Sequence, residues 1–533
     1  MSSNFPPSDG PDILDSSGGT PEQPASRRNR KAAYAAAGIA GAVVVVGGAA
    51  WAASWYLSSG ADAAEALPAS TLAVVQVNLD PSGEQKIEAL KMLNKFPGIT
   101  SELDLDSSSD LRRSLWEQIQ EDGTCTDVDY DDDIAPWLGN RMALAAVDTG
   151  EDTPAPVLVV EISDGAKAEK GVEQLMDCDD DTDTGGYAIE GDWLVVAETD
   201  TIADDAVADA KDDTLSDDAT YQHWMDEAGG ESIISAYVAP SAAEKLAEAL
   251  PGLMAGTDAA NGGAFADQQA EQLKDFQGAA LKIRFEDASI EAEYALDAGS
   301  NPFTDIILDA EGTGVAGTLP VDSAFVFGAS FGDGWAQAYL DQIKDTLGSS
   351  ADVDSLLAQV ESETGLQILE DIEALTGDSF ALAVSSDLDV ESLSNADDLS
   401  EVGIGVKVQG DPAAAEATLD KLRAQLPDPS WLTSKTSGDY LSVSPDQAWL
   451  DEISADGGLG GSDDYQEVIP QGDKAIYVLY ANPDAGDDWL VTALEDSGAG
   501  DDVIDNVAPL GPMGLSFWAE GDVIHGSMKL TTD

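Results

Sequence analysis

The 533-residue chain is short of positive charge, of histidine and of cysteine. Twenty-four Lys and Arg stand against 103 Asp and Glu, for a formal charge of −79. A polyanion of that size repels nucleic-acid phosphates and anionic headgroups, so nucleic acid is excluded as a partner. His223 and His525 are the only histidines, which rules out a multi-histidine zinc centre. Cys125 and Cys178 are the only cysteines and cannot supply a four-thiolate one. Phosphate-cradling glycine loops and dinucleotide fingerprints do not occur between a strand and a helix, and no cofactor is implied. Trp116, Trp137, Trp193, Trp224, Trp335 and Trp518 have little Lys or Arg beside them, so they read as core rather than as a stacking platform.

One long uncharged run is present, Ala32 to Leu57. As a helix it would extend about 39 Å, against the ~30 Å of a hydrocarbon layer. Trp51, Trp55 and Tyr56 cluster at one end, where aromatic rings prefer the headgroup level. Arg27, Arg28, Arg30 and Lys31 precede the run directly, and Asp62 and Glu65 follow it. The positive-inside rule then puts the N-terminus in the cytoplasm and the rest outside. A cleaved signal peptide is the competing reading, but its apolar region is shorter and its basic region starts nearer residue 1. In an exported chain Cys125 and Cys178 either form one disulfide, the expected state, or stay free; spacing alone does not decide.

Comparing the chain with itself reveals two copies of one pattern. Leu67-Pro68 before an apolar run recurs as Leu319-Pro320. Ala143-Leu144-Ala145 recurs as Ala381-Leu382-Ala383, Gly191-Asp192 as Gly438-Asp439, Ser216-Asp217-Asp218 as Ser462-Asp463-Asp464, and Ile233–Val238 as Ile476–Tyr480. The order is kept at offsets of 252, 238, 247, 246 and 243 residues, for these and their flanking matches. Hairpins are expected at Gly191-Asp192 and at Asp287-Ala288, and alternation around the second buries one face only. Hairpins without βαβ repetition indicate an α+β fold: two copies of an antiparallel-sheet-plus-helices unit, preceded by one transmembrane helix. The expected division is a disordered cytoplasmic tail (1–31), the transmembrane helix (32–57), repeat 1 (58–300), a linker (301–318) and repeat 2 (319–533).

Leu67-Pro68-Ala69-Ser70-Thr71, then Val77-Asn78-Leu79-Asp80-Pro81-Ser82 and Gln85-Lys86, resembles a family of uncharacterised actinobacterial single-pass membrane proteins, a domain of unknown function. Pro136-Trp137-Leu138-Gly139 fits the same family. The resemblance implies location and fold type, and carries no catalytic residue. The second copy departs from the opening motif, with Phe331-Gly332-Asp333 set against Asn78-Leu79-Asp80.

Candidate chemistry is sparse. Gly328-Ala329-Ser330-Phe331-Gly332 has the Gly-x-Ser-x-Gly form, with Ser330 as the weak nucleophile candidate and His525 downstream. Two acidic runs are calcium candidates: Asp127, Asp129, Asp131, Asp132 and Asp133, and then Asp179, Asp181, Asp183 and Glu190. Three functions follow. The first is a non-catalytic binding or scaffold protein of the cell envelope, anchored in the lipid bilayer and facing an envelope protein or wall component. The alternatives are an extracytoplasmic hydrolase and a divalent-cation-binding ectodomain.

Overall fold

The computed structural model describes residues 62–78, 88–97 apart from 90, separate positions between 112 and 125, and 127–533 with gaps at 152, 178–184, 246–272, 274, 300–301, 311, 348–352, 388–401 and 497. The expected tail and span, 1–57, lie outside these residues. Among the described residues no helix is long and apolar enough to cross a membrane.

Runs of Val, Ile, Ala and aromatic residues between turn signals form the strands, as their branched and flat side chains suit a pleated surface. The first eight are β1 (Thr71–Asn78), β2 (Leu138–Val147), β3 (Ala155–Ile162), β4 (Gly186–Glu190), β5 (Trp193–Ala197), β6 (Ile234–Val238), β7 (Ala279–Glu286) and β8 (Ser289–Asp297). Eight more follow: β9 (Ser323–Ser330), β10 (Ser379–Ser385), β11 (Ile404–Gln409), β12 (Ser434–Ser437), β13 (Tyr440–Val443), β14 (Tyr477–Ala481), β15 (Leu510–Glu520) and β16 (Val523–Thr532). Between them lie α1 (Gly165–Asp177), α2 (Asp200–Asp212), α3 (Ala219–Glu227), α4 (Trp335–Leu347), α5 (Ile368–Thr376), α6 (Pro412–Arg423), α7 (Gln447–Ile453) and α8 (Asp463–Val468), among others.

All sixteen strands join one sheet in the order β12-β13-β11-β10-β9-β14-β15-β16-β8-β7-β6-β1-β2-β3-β5-β4. Read from either edge to the centre the order is the same, each strand of the first run matching the strand eight places later. The α+β class with an antiparallel sheet is thus as expected. The two runs share a single sheet, however, because β8 and β16 pair at the centre with Glu293 opposite Ser527. Separate halves would leave both strands as open edges, which pairing removes.

Register fixes the correspondence. Val74 lies opposite Ala145 and Tyr237, and Val326 lies opposite Ala383 and Tyr480. Gln76 therefore corresponds to Gly328, and Asn78 to Ser330 rather than to Phe331, which corrects the alignment of the opening motif by one residue. The expected hairpins are present. Gly191 and Gly438 take φ of 58° and 62° at the β4–β5 and β12–β13 turns. Asp287 and Ala288 are held at φ 48° and 60° in the β7–β8 turn, where both central residues need positive φ.

On one face of the sheet two apolar cores form, one per run. Leu67, Val74, Trp224 and Tyr237 anchor the first, and Leu319, Val326, Leu450 and Tyr480 the second. Tyr221 packs edge-on against Tyr237 at 5.1 Å, and Tyr465 packs tilted against Tyr480 at 5.3 Å. The Leu67 carbonyl accepts from the Leu215 amide at 2.8 Å, and the Leu319 carbonyl from the Leu459 amide at 3.0 Å. The stretch expected as a linker carries a helix, Pro302–Leu308, and a 3-10 turn, Ala316–Thr318, with Val315 and Ala316 fully buried.

Candidate functional site

The opposite face of the first run holds a cavity. Strands β2, β3 and β5 are adjacent, and alternation turns Met142, Val160, Leu194 and Val196 to that face. Above them α1 lays Val172, Leu175 and Met176, at the i, i+3 and i+4 spacing that shares a helix side. Gly171 allows the approach: a Cβ there would sit 2.2 Å from Trp137 Nε1. That indole N–H donates to the Asp133 carbonyl at 2.6 Å, which fixes Trp137 as one wall. With Trp116 and Ile134, these groups line a half-open cavity of about 410 Å³.

Around the cavity the backbone is tied down. Asp129 caps the short Tyr130–Ile134 turn by accepting from the Asp132 amide at 3.0 Å, and Asp133 accepts from the Asp129 amide at 3.0 Å. Cys125 is disulfide-bonded, and its Sγ lies 3.7 Å from the Leu175 carbonyl on α1. Cys178 lies outside the described residues. Among the described lining residues Arg112 is the one charged side chain, and its guanidinium donates to the Leu138 carbonyl at 2.9 Å. The described lining offers apolar surface and no nucleophile with a base beside it. Such a surface suits an apolar group. Beyond β4 the character reverses: Glu169, Tyr187, Asp200 and Asp204 border an open acidic cleft. Burial, then Glu173 and Glu169, push the Tyr187 hydroxyl up.

The residues singled out from the sequence are not assembled into a catalytic group. Ser330 is fully buried at the end of β9, and its hydroxyl donates to the Ile476 carbonyl at 3.4 Å. His525 is on β16, three strands away, or roughly 14 Å at the usual strand spacing. Ser330 thus continues a regular strand where a nucleophile elbow needs a sharp, exposed turn. In the first acidic run Asp129 and Asp133 are spent on local amides, and Asp131 pairs with Arg113. In the second, Asp179, Asp181 and Asp183 lie outside the described residues, while Glu190 pairs with Lys211 at 2.8 Å. Among the described residues no group of three or more His, Cys, Asp or Glu is arranged to hold a metal ion.

Sequence reading missed a polar seam where the two runs meet. Lys282, Arg284, Glu291, Glu293, His525 and Ser527 project from β7, β8 and β16 to the face that carries the two apolar cores. Arg284 is held by Glu291 at 3.1 Å and Glu293 at 2.5 Å, and Lys282 donates to the Gly229 carbonyl at 2.7 Å. Burial pulls the Lys282 ammonium below its ordinary value. Both histidines lean on one carboxylate: Glu227 lies 3.8 Å from His223 Nδ1 and 3.6 Å from His525 Nε2. Alternation along β7 and β16 was legible, but which strands adjoin was not.

No curated protein and no solved structure matches the chain. Residues 39–444, well over half of the chain, match the family described as Protein of unknown function (DUF3352), and the chain belongs to that family.

Proposed function

We propose that this is a non-catalytic binding protein of the cell envelope, held in the membrane by residues 32–57, with the apolar cavity of the first run as its ligand seat. The cavity carries the reading. Its volume of about 410 Å³ falls within the range of small-molecule pockets, and its wall is nearly all apolar. The uncharged run behind four basic residues supports the anchor. A bonded Cys125 fits an oxidising compartment, with Cys178 as its proposed partner. The mirrored strand order supports descent of both runs from one duplicated unit.

The test uses the full chain in its own membranes and a small neutral photoreactive hydrocarbon. Adducts mapped by mass spectrometry are expected at two places, within 32–57 and on Met142, Val172 or Met176. The substitution Val196→Trp fills the cavity and is expected to remove the second set while leaving the first. Absence of pocket adducts in the folded wild type refutes the ligand seat. Absence of adducts within 32–57, or a C-terminal reporter found in the cytosol, refutes the anchor.

A further inference from the structure

We infer that the cavity takes a single acyl chain of a neutral-headed amphiphile, threaded out along the β2–β3 ladder; this rests on the reading of the cavity as a ligand seat. Three observations point there. The first is volume. A methylene fills about the space of a water molecule in the liquid, ~30 Å³, so the cavity accommodates roughly fourteen.

The second is the shape of the exit. Inside, Met142 and Val160 face each other across β2 and β3. The next rung on the same face is Leu144 opposite Leu158. These two leucines are 51% and 38% exposed, among the few large apolar side chains so placed. Leu158 itself lines the cavity, level with Val196, so the apolar wall runs on through Leu144 to solvent. A compact apolar ligand would leave that outer wall uncovered, whereas an extended chain covers it as it emerges. Met142 and Met176 in the wall are unbranched and adapt to a flexible occupant.

The third is charge. Beyond Leu144 and Leu158 the ladder ends in a loop with Asp148 and Glu151, answered among the described residues by Lys245, whose Nζ lies 3.2 Å from Asp148 Oδ1. With −79 on the whole chain, a carboxylate or phosphate head at this exit is repelled. An uncharged ester or hydroxyl head is not.

Competition against the photoreactive hydrocarbon tests this with the full chain in membranes. Monoacylglycerols of increasing length and fatty acids of the same lengths serve as competitors. Protection of Met142 and Met176 is expected to peak near a chain of ~14 carbons, with the glycerol ester about tenfold more effective than the matched acid. Leu158→Glu, at an exposed position, is expected to weaken protection about tenfold with an unchanged melting temperature. Protection that does not vary with chain length overturns the inference, and so does equal protection by a compact alcohol such as adamantanol. Equal potency of acid and ester overturns the neutral head, and an indifferent Leu158→Glu overturns the exit. Pocket labelling without chain-selective protection leaves the ligand seat standing and removes only the acyl chain. No pocket labelling removes both.

Discussion

The two runs of this chain share a strand order but not an interior. Under α1 the surface of β2, β3 and β5 stays partly open around Trp116 and Trp137. Under α6 the matching surface of β11 and β13 is filled by Ala415, Leu419 and Leu441, with Leu375 and Leu422 against them. Beside that packing, Asp371 on α5 accepts from Lys421 Nζ at 2.6 Å and from the Thr418 hydroxyl at 2.7 Å. Gln76 of the first run reaches the Tyr221 hydroxyl at 2.7 Å and accepts from the Ala64 amide at 3.1 Å, and Tyr221 in turn donates to Asp62 at 3.2 Å. Its counterpart Gly328 has no side chain, and the space is taken by Thr313 and Ala316. The two runs share backbone pairing and differ in side-chain volume and polarity, so a cavity can exist in one run and not in the other.

The largest effect that could break the comparison comes from the paired anchors. Leu67→Ala and Leu319→Ala each delete a fully buried side chain and are expected to cost about 2–5 kcal/mol. Because β8 and β16 join the runs, both variants should lower one shared unfolding transition in calorimetry. Two transitions, with only the mutated run shifted, would show the halves to be independent.

Next is the exchange of unlike interiors. Gln76→Gly makes the first run resemble the second and removes one of two partners from the Tyr221 hydroxyl and from the Ala64 amide, leaving each with Asp62, at a cost of about 1–3 kcal/mol in denaturant unfolding. A neutral result would mean that water or a neighbour replaces the amide.

Asp371→Asn sharpens the second run's own device. Burial raises the Asp371 carboxyl, but bonds from Lys421, Thr418 and the Gln367 amide outweigh it and leave it below the ordinary carboxylate value. A depressed carboxyl stabilises the fold above its unfolded value, and that gain is lost as pH falls through the folded one. The variant should lose about 1–2 kcal/mol at neutral pH, with the gap closing in acid below the usual carboxylate range. A gap that persists there would assign the loss to packing.

The smallest effect concerns Asp484, after β14. Burial, then Asp533 and Asp488, push its carboxyl up to about 6. Its sign is opposite: the raised group carries no penalty below the ordinary carboxylate value, and the penalty grows as pH rises from there and is complete above about 6. Asp484→Asn should stabilise the fold at pH 8 by under ~1 kcal/mol after solvent screening, read as a small rise in Tm, and leave Tm nearly unchanged near pH 4. A rise of equal size at both pH values would exclude a charge effect.

Much of the backbone was legible. Gly191-Asp192 and Gly438-Asp439 announced hairpins because a two-residue turn needs positive φ, and the apolar runs of β1 and β9 announced strands. The site was less so. Ser330 fits a nucleophile pattern in one dimension, but its strand neighbours place it in a dry interior. Glu190 fits a calcium spacing, but Lys211 from α2 takes it. Stretch 301–318 looked like a connection because its glycines and short apolar pieces have no period, yet Val315 and Ala316 are core. Nothing in the spacing of Trp116, Trp137, Met142 and Met176 signalled that they would face one space.

The sequence by itself determined the charge, the repeated pattern, the turn positions and the antiparallel class, because these depend on residue type and on periods of two and 3.6 along the chain. Tertiary structure alone decided that the two runs of described strands would close into one sixteen-stranded sheet, that both histidines would meet Glu227, and that a cavity would lie beneath α1. Those outcomes depend on strand order and on the fit of side chains hundreds of residues apart, and no local rule encodes either.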